Sequence, residues 1–155
     1  MGDLPHKLPK SQHLDMRKNY MKAHGEMERR LIPHAEYVEG DTLVLRLARF
    51  AGNTKSMLDR AIADASAKQL PRGVVLDMRG NPGGLLNQAI SVADTFLTQG
   101  EIVSIRGRTL SNRRGWKADE NEMLSGVPMV VLLDGSSASA AELVAASLQD
   151  HGRAI

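Results

Sequence analysis

A chain of 155 residues with 42% hydrophobic and 25% charged residues has the composition of one ordinary globular domain with a sizeable core. Its net charge is only +2 and it holds one Trp, two Tyr and two Phe, so it offers neither the basic surface nor the stacking platforms of a nucleic-acid binder. Cysteine is absent, which excludes disulfides, thiolate metal sites and thiol catalysis, and the opening MGDLPHKLPKSQ carries no apolar export segment.

Residues 1–36 differ from the rest. They contain three prolines and four of the five histidines, with no sustained apolar period. They read as a loosely packed arm or linker remnant in which Met16–Met27 forms at most a thin-faced short helix. His6, His13, His24 and His34 are too widely spaced for a local metal motif, and no metal is expected. Residues 37–155 read as the folded core. Thr42–Phe50 (TLVLRLARF) alternates as a strand, and Asn53 or Thr54 then caps a helix with the face Met57, Leu58, Ala61, Ile62 and Ala65. Val74–Met78 is a short buried strand, and Gly80–Gly84 is a turn. A helix follows from Leu85 to Leu97, its face formed by Leu85, Leu86, Ala89, Ile90, Ala93 and Phe96. Glu101–Arg106 is a strand, Thr109–Ser125 a polar surface loop carrying Trp116, and Val127–Leu133 the last strand before an alanine-rich helix. This alternation predicts an α/β fold with a largely parallel sheet flanked by helices.

Ligands of parallel α/β sheets bind at the carboxyl ends of the strands. Two loops there stand out: Arg79-Gly80-Asn81-Pro82-Gly83-Gly84 and the small-residue run Gly135–Ala140. Both lead into helix N-termini and so present unpaired N–H groups, a fit partner for a serine whose attack creates an oxyanion. The blander reading of each, chain reversal and ordinary capping, remains open at this level. A phosphate cradle lacks support, because neither a Walker pattern nor G-x-G-x-x-G is present, and the G-x-S-x-G elbow of α/β-hydrolases is missing too.

The stretches GVVLDMRGNPGGLLNQAISVADTFL, IVSIRGR and PMVVLLDGSSASAAELVAASLQDHGRA closely resemble the carboxyl-terminal processing (tail-specific) proteases, from about Asp41 to Ile155. The resemblance implies a core similar to Clp protease and crotonase. It also implies endoproteolysis near the carboxyl terminus of protein or peptide substrates by a serine–lysine dyad, without metal or organic cofactor. Matched residue by residue, it makes Ser139 the nucleophile, with oxyanion donors at the N–H of Ala140 and of Gly83 or Gly84. Asp77, Arg79 and Asn81 support the loop, Ser136 and Ser137 are turn residues, and Glu142 is structural. Ala141 replaces a serine common in relatives.

The family's base is a lysine a couple of dozen residues past the serine, in a glycine-rich segment. No lysine follows Ser139, and the last is Lys117. His151 lies twelve residues along the same expected helix, roughly 18 Å away, and Lys117 is expected to be solvated. No PDZ module is visible, and Met27–Pro33 resembles its connector to the core. The resemblance therefore implies part of a catalytic core. Ala154-Ile155 looks like the start of a strand, which would leave a sheet edge free for self-association. Relatives usually work in the periplasm or elsewhere outside the cytoplasm. The alternative is a non-catalytic binding or assembly module on the same fold. The expectation for the 155 residues alone is negligible peptidase activity, and Ser139-dependent cleavage of a denatured protein by this chain would overturn it.

Overall fold

The computed structural model describes residues 34–107 and 113–155. The expected Met16–Met27 helix, the Met27–Pro33 connector and His6, His13 and His24 lie outside the described residues. The elements run β1 (His34–Val38), β2 (Thr42–Arg46), α1 (Thr54–Lys68), β3 (Gly73–Asp77), α2 (Leu86–Asp94), β4 (Glu101–Arg106), β5 (Arg113–Lys117), β6 (Met129–Leu132) and α3 (Ala140–Asp150).

Side chains alternate across a strand, and in β2, β3 and β6 both alternating sets are apolar. One set, Leu43, Leu45, Val74, Leu76 and Met129, packs with Leu58 and Ile62 of α1, Ile90 and Ala93 of α2, and Val144 and Leu148 of α3. The other set, Val44, Val75, Val130 and Leu132, joins Val38 in a second buried cluster. Burial on both faces is the signature of parallel strands, and each fully buried aliphatic side chain contributes about 1.5–3 kcal/mol. The sheet order is β1-β2-β3-β6. β2 with β3 and β3 with β6 are parallel, whereas β1 with β2 is antiparallel. The expected α/β fold with a mostly parallel sheet and packed helices is therefore present.

Four readings need correction. β1 begins at His34, inside the stretch read as an arm, because Glu39 (φ 51°) and Gly40 (φ 90°) reverse the chain and pair it with β2. β5 lies inside the stretch read as irregular loop. Its sequence RRGWK shows no alternation, and pairing with β4 makes it a strand. β4 accordingly belongs to a separate two-stranded antiparallel sheet, with Trp116 packed against the core. Leu85 and Leu86 are exposed rather than on the buried face of α2, which starts only at Leu86. On the far side of β6, Val131 N–H donates to the carbonyl of Ile155 (2.8 Å), so the residue expected to start a further strand pairs with β6 there.

At the start of α1, Asn53 takes the cap position through its carbonyl, which accepts from Met57 N–H (3.0 Å), while its side chain makes no capping bond. Thr54 Oγ1 accepts from Ala51 N–H (2.8 Å). At the other end, the Tyr37 hydroxyl donates to the carbonyl of Gln69, tying β1 to α1. Burial pushes the Tyr37 pKa above its ordinary 10.0. The folded state thus favours the protonated phenol, a contribution present below the unfolded pKa and lost as pH rises through the folded one. Alkaline unfolding monitored by circular dichroism should show this loss above pH 10.0, and Tyr37→Phe should flatten that part of the profile.

Candidate active site

Parallel β3 and β6 end at the same margin of the sheet, so the loops that follow them meet. The loop after β3 starts from a buried charge. Asp77, wholly buried, accepts from Arg79 N–H (3.1 Å) and Arg79 Nε (2.9 Å) on one oxygen, and from Arg79 Nη2 (2.8 Å) and Arg46 Nη1 (3.1 Å) on the other. A carboxylate so surrounded is compensated for the loss of water. The turn it fixes leads to Asn81, also wholly buried. Asn81 Nδ2 donates to Leu47 O (2.8 Å) beyond β2, Oδ1 accepts from Gly83 N–H (2.8 Å), and its main-chain carbonyl accepts from Ala138 N–H (3.0 Å).

The loop after β6 is braced from its own side. Asp134 Oδ1 accepts from Gly80 N–H (2.9 Å) and Ser136 N–H (2.9 Å). Ser137 Oγ accepts from Asp134 N–H (3.0 Å) and donates to Met78 O (2.9 Å). Ser136 and Ser137 thus hold the turn, as their position suggested. Ser139 follows at the N-cap of α3 with φ 53° and ψ −112°. Such backbone costs a non-glycine residue of order 1–3 kcal/mol and persists only where neighbours impose it. Here Glu142 Oε2 accepts Ser139 N–H (2.7 Å), and Ser139 O accepts from Leu143 N–H (3.0 Å).

The two loops touch through a glycine. A β-carbon on Gly83, at φ +96°, would stand 2.8 Å from Ala138 O and 3.0 Å from both Ala140 N and Ser139 Cβ. No side chain fits. One residue on, a β-carbon on Gly84 would stand 2.2 Å from Phe50 O, because Phe50 N–H donates to Gly83 O and Leu85 N–H to Phe50 O. The Gly83 N–H is taken by Asn81, whereas among the described residues the N–H groups of Gly84 and Ala140 have no acceptor. Ser139 is exposed and forms a capping box with Glu142, whose backbone N–H faces the Ser139 hydroxyl oxygen, and among the described residues no side chain hydrogen-bonds to that hydroxyl. An exposed hydroxyl on constrained backbone, with free N–H donors in the contacting loops, is an arrangement suited to acyl transfer.

The sequence matches peptidase family S41 over residues 41–155. The chain belongs to peptidase family S41. It is 50% identical over 121 residues to a carboxy-terminal-processing protease of Bartonella bacilliformis, covering 76% of this chain and 28% of that protein. It is 37% identical over 111 residues to the chloroplastic C-terminal processing peptidase of Tetradesmus obliquus, covering 72% and 24%. Among solved structures it resembles the photosystem II D1 C-terminal processing protease (TM-score 0.66, 34% identity), covering 74% of this chain and 29% of that one. The chain thus spans about a quarter of the length of the curated relatives it matches.

In this S41 core the structure brings together Ser139, Ala140, Gly83, Gly84, Asn81, Asp77 and Arg79. His151 and Lys117 are not brought to the serine by any described contact. His151 caps the far end of α3, about 18 Å along the helix from Ser139, with Nδ1 2.9 Å from Ser147 O and its ring against Gly100. Lys117 is exposed on β5. Among the described residues no three His, Asp or Glu side chains are placed to hold a metal ion. Sequence reasoning missed Arg46 and the bracing carboxylate of Asp134. A signal for Arg46 existed: it is the lone charge of the apolar run TLVLR, as Asp77 is of GVVLD.

Removing the Asn81 side chain strands a buried carbonyl and a buried N–H. Asn81→Ala should therefore cost about 2–5 kcal/mol in urea denaturation. Gly83→Ala should cost a comparable amount or separate the loops, read from the amide resonances of Ala138 and Ala140.

Proposed function

We propose that this chain is the nucleophile-bearing part of a serine endopeptidase that cleaves protein substrates near their carboxyl terminus through a serine–lysine dyad. The observation that supports the reading is the close contact between the Gly83 turn and Ser139–Ala140, where an exposed hydroxyl adjoins the unpaired N–H of Ala140. Ser139 Oγ attacks the scissile carbonyl, its proton passes to the neutral lysine, and the carbonyl electron pair becomes the oxyanion. Ala140 N–H and Gly84 N–H donate to that oxygen. Gly84 is preferred to Gly83, whose N–H already serves Asn81. Collapse of the adduct expels the amine, protonated by the lysine, and water then releases the acyl group by the reverse proton path. Asp77, Arg79 and Asn81 hold the donor loop in place without touching substrate.

On the family resemblance the lysine belongs to a segment beyond these 155 residues, and among the described lysines Lys55 pairs with Asp59 (2.5 Å) while Lys68 and Lys117 are exposed. The pairing of Ile155 with β6 supports the assignment. Val131 N–H donates to Ile155 O and Ile155 N–H to Met129 O, a parallel bridge. Chain continuing in that direction runs to the margin of the sheet where Ser139 stands. We place the working protein outside the cytoplasm, in keeping with its bacterial and chloroplastic relatives.

The test is cleavage of an unfolded protein by the full-length gene product and its Ser139→Ala variant. A loss of at least about 1,000-fold is expected. Cleavage that survives Ser139→Ala would overturn the reading, and a full-length product with no cleavage at all would favour a non-catalytic binding module.

A further inference from the structure

Arg46 lies at the end of β2, is 5% exposed, and stands directly across from Asp77 in the β2–β3 register. Its Nη1 donates to Asp77 Oδ2 (3.1 Å), while its Nε is buried without a partner. An unpaired buried donor is unfavourable, and a hydrocarbon in the same space would avoid it. Stability alone is therefore a poor reason for an arginine here. Asp77 also has three donors from Arg79, so its charge stays compensated without Arg46. What Arg46 adds is direction. It approaches from the neighbouring strand and binds the carboxylate in the orientation that receives Arg79 N–H, Nε and Nη2.

We propose that Arg46 is a positioning residue for the oxyanion donors, acting through Asp77 and the Arg79–Gly84 turn on the N–H of Gly84. The chain of contact is continuous. Arg46 orients Asp77, Asp77 fixes Arg79, the turn carries Asn81 and Gly83, and Gly83 abuts Ser139 and Ala140. Donors to a developing oxyanion work within a few tenths of an ångström, so a carboxylate free to rotate at the base of this turn weakens them. The inference rests on the proposed role of Ser139 and adds a residue that does not touch substrate.

The test uses a tripeptide boronic acid and the matching boron-free tripeptide amide. The boronic acid forms a bond from Ser139 Oγ to boron, releases the hydroxyl proton to solvent, and places a boron-bound oxygen on the oxyanion donors. The amide binds without them. In the full-length gene product Arg46→Met should weaken boronate capture at least tenfold while changing amide binding less than twofold, and Arg46→Lys should recover part of the loss. If Arg46→Met does not fold, Arg46→Gln and Arg46→Lys carry the same comparison. Equal losses for both ligands, or no loss for either, would overturn the role of Arg46. Boronate capture that Ser139→Ala leaves unchanged in the otherwise unaltered chain would instead overturn the nucleophile, and the role of Arg46 with it.

Discussion

Asn81 is the residue on which the arrangement of this site depends. Its side-chain amide reaches back to the carbonyl of Leu47 and forward to the N–H of Gly83, and its main chain holds Ala138 in the serine loop. Three segments far apart in sequence are thereby set against one another by three hydrogen bonds around one buried residue. Each bond alone is worth about 0.5–1.5 kcal/mol net, but leaving a buried partner unpaired costs more. The loops are consequently held in one arrangement rather than several.

That arrangement also explains why Ser139 can keep an unfavourable backbone. Its N–H is bound by Glu142 and its carbonyl begins the hydrogen-bond ladder of α3. Asn81 fixes the preceding residue, and Gly83 leaves no room on the facing side. The strain is offset by the packing of α3, whose Val144 and Leu148 are fully buried. The same helix N-terminus that is costly to shape supplies the free N–H of Ala140.

Much of this is legible in the sequence. The apolar strands, the helix faces built on Leu58 and Ile62 or on Ile90 and Ala93, and the two loops at the carboxyl margin follow from short-range patterns in TLVLR, TKSMLDRAIADASAK, GVVLDMRGNPGG, LNQAISVAD and VVLLDGSSASAAEL. β1 and β5 were not legible, because HAEYV and RRGWK are too short and too polar to alternate clearly. Pairing with β2 and with β4 makes them strands. Leu85 and Leu86 misled for a related reason: they continue the apolar period of α2 but precede or open its first turn, and lie exposed beside Gly84.

The sequence by itself determined the α/β class, the order of the main elements and the two loops that meet at the site, because periodicity, glycine and small hydroxyl residues act over a few positions. Only the tertiary structure decided which glycine N–H is free and which is taken by Asn81, that Arg46 shares the carboxylate of Asp77, and that Gly83 lies against Ser139. The last two depend on distances of about 3 Å between residues 31 and 56 positions apart. Local preference carries no information about such contacts, which strand register and loop packing alone set.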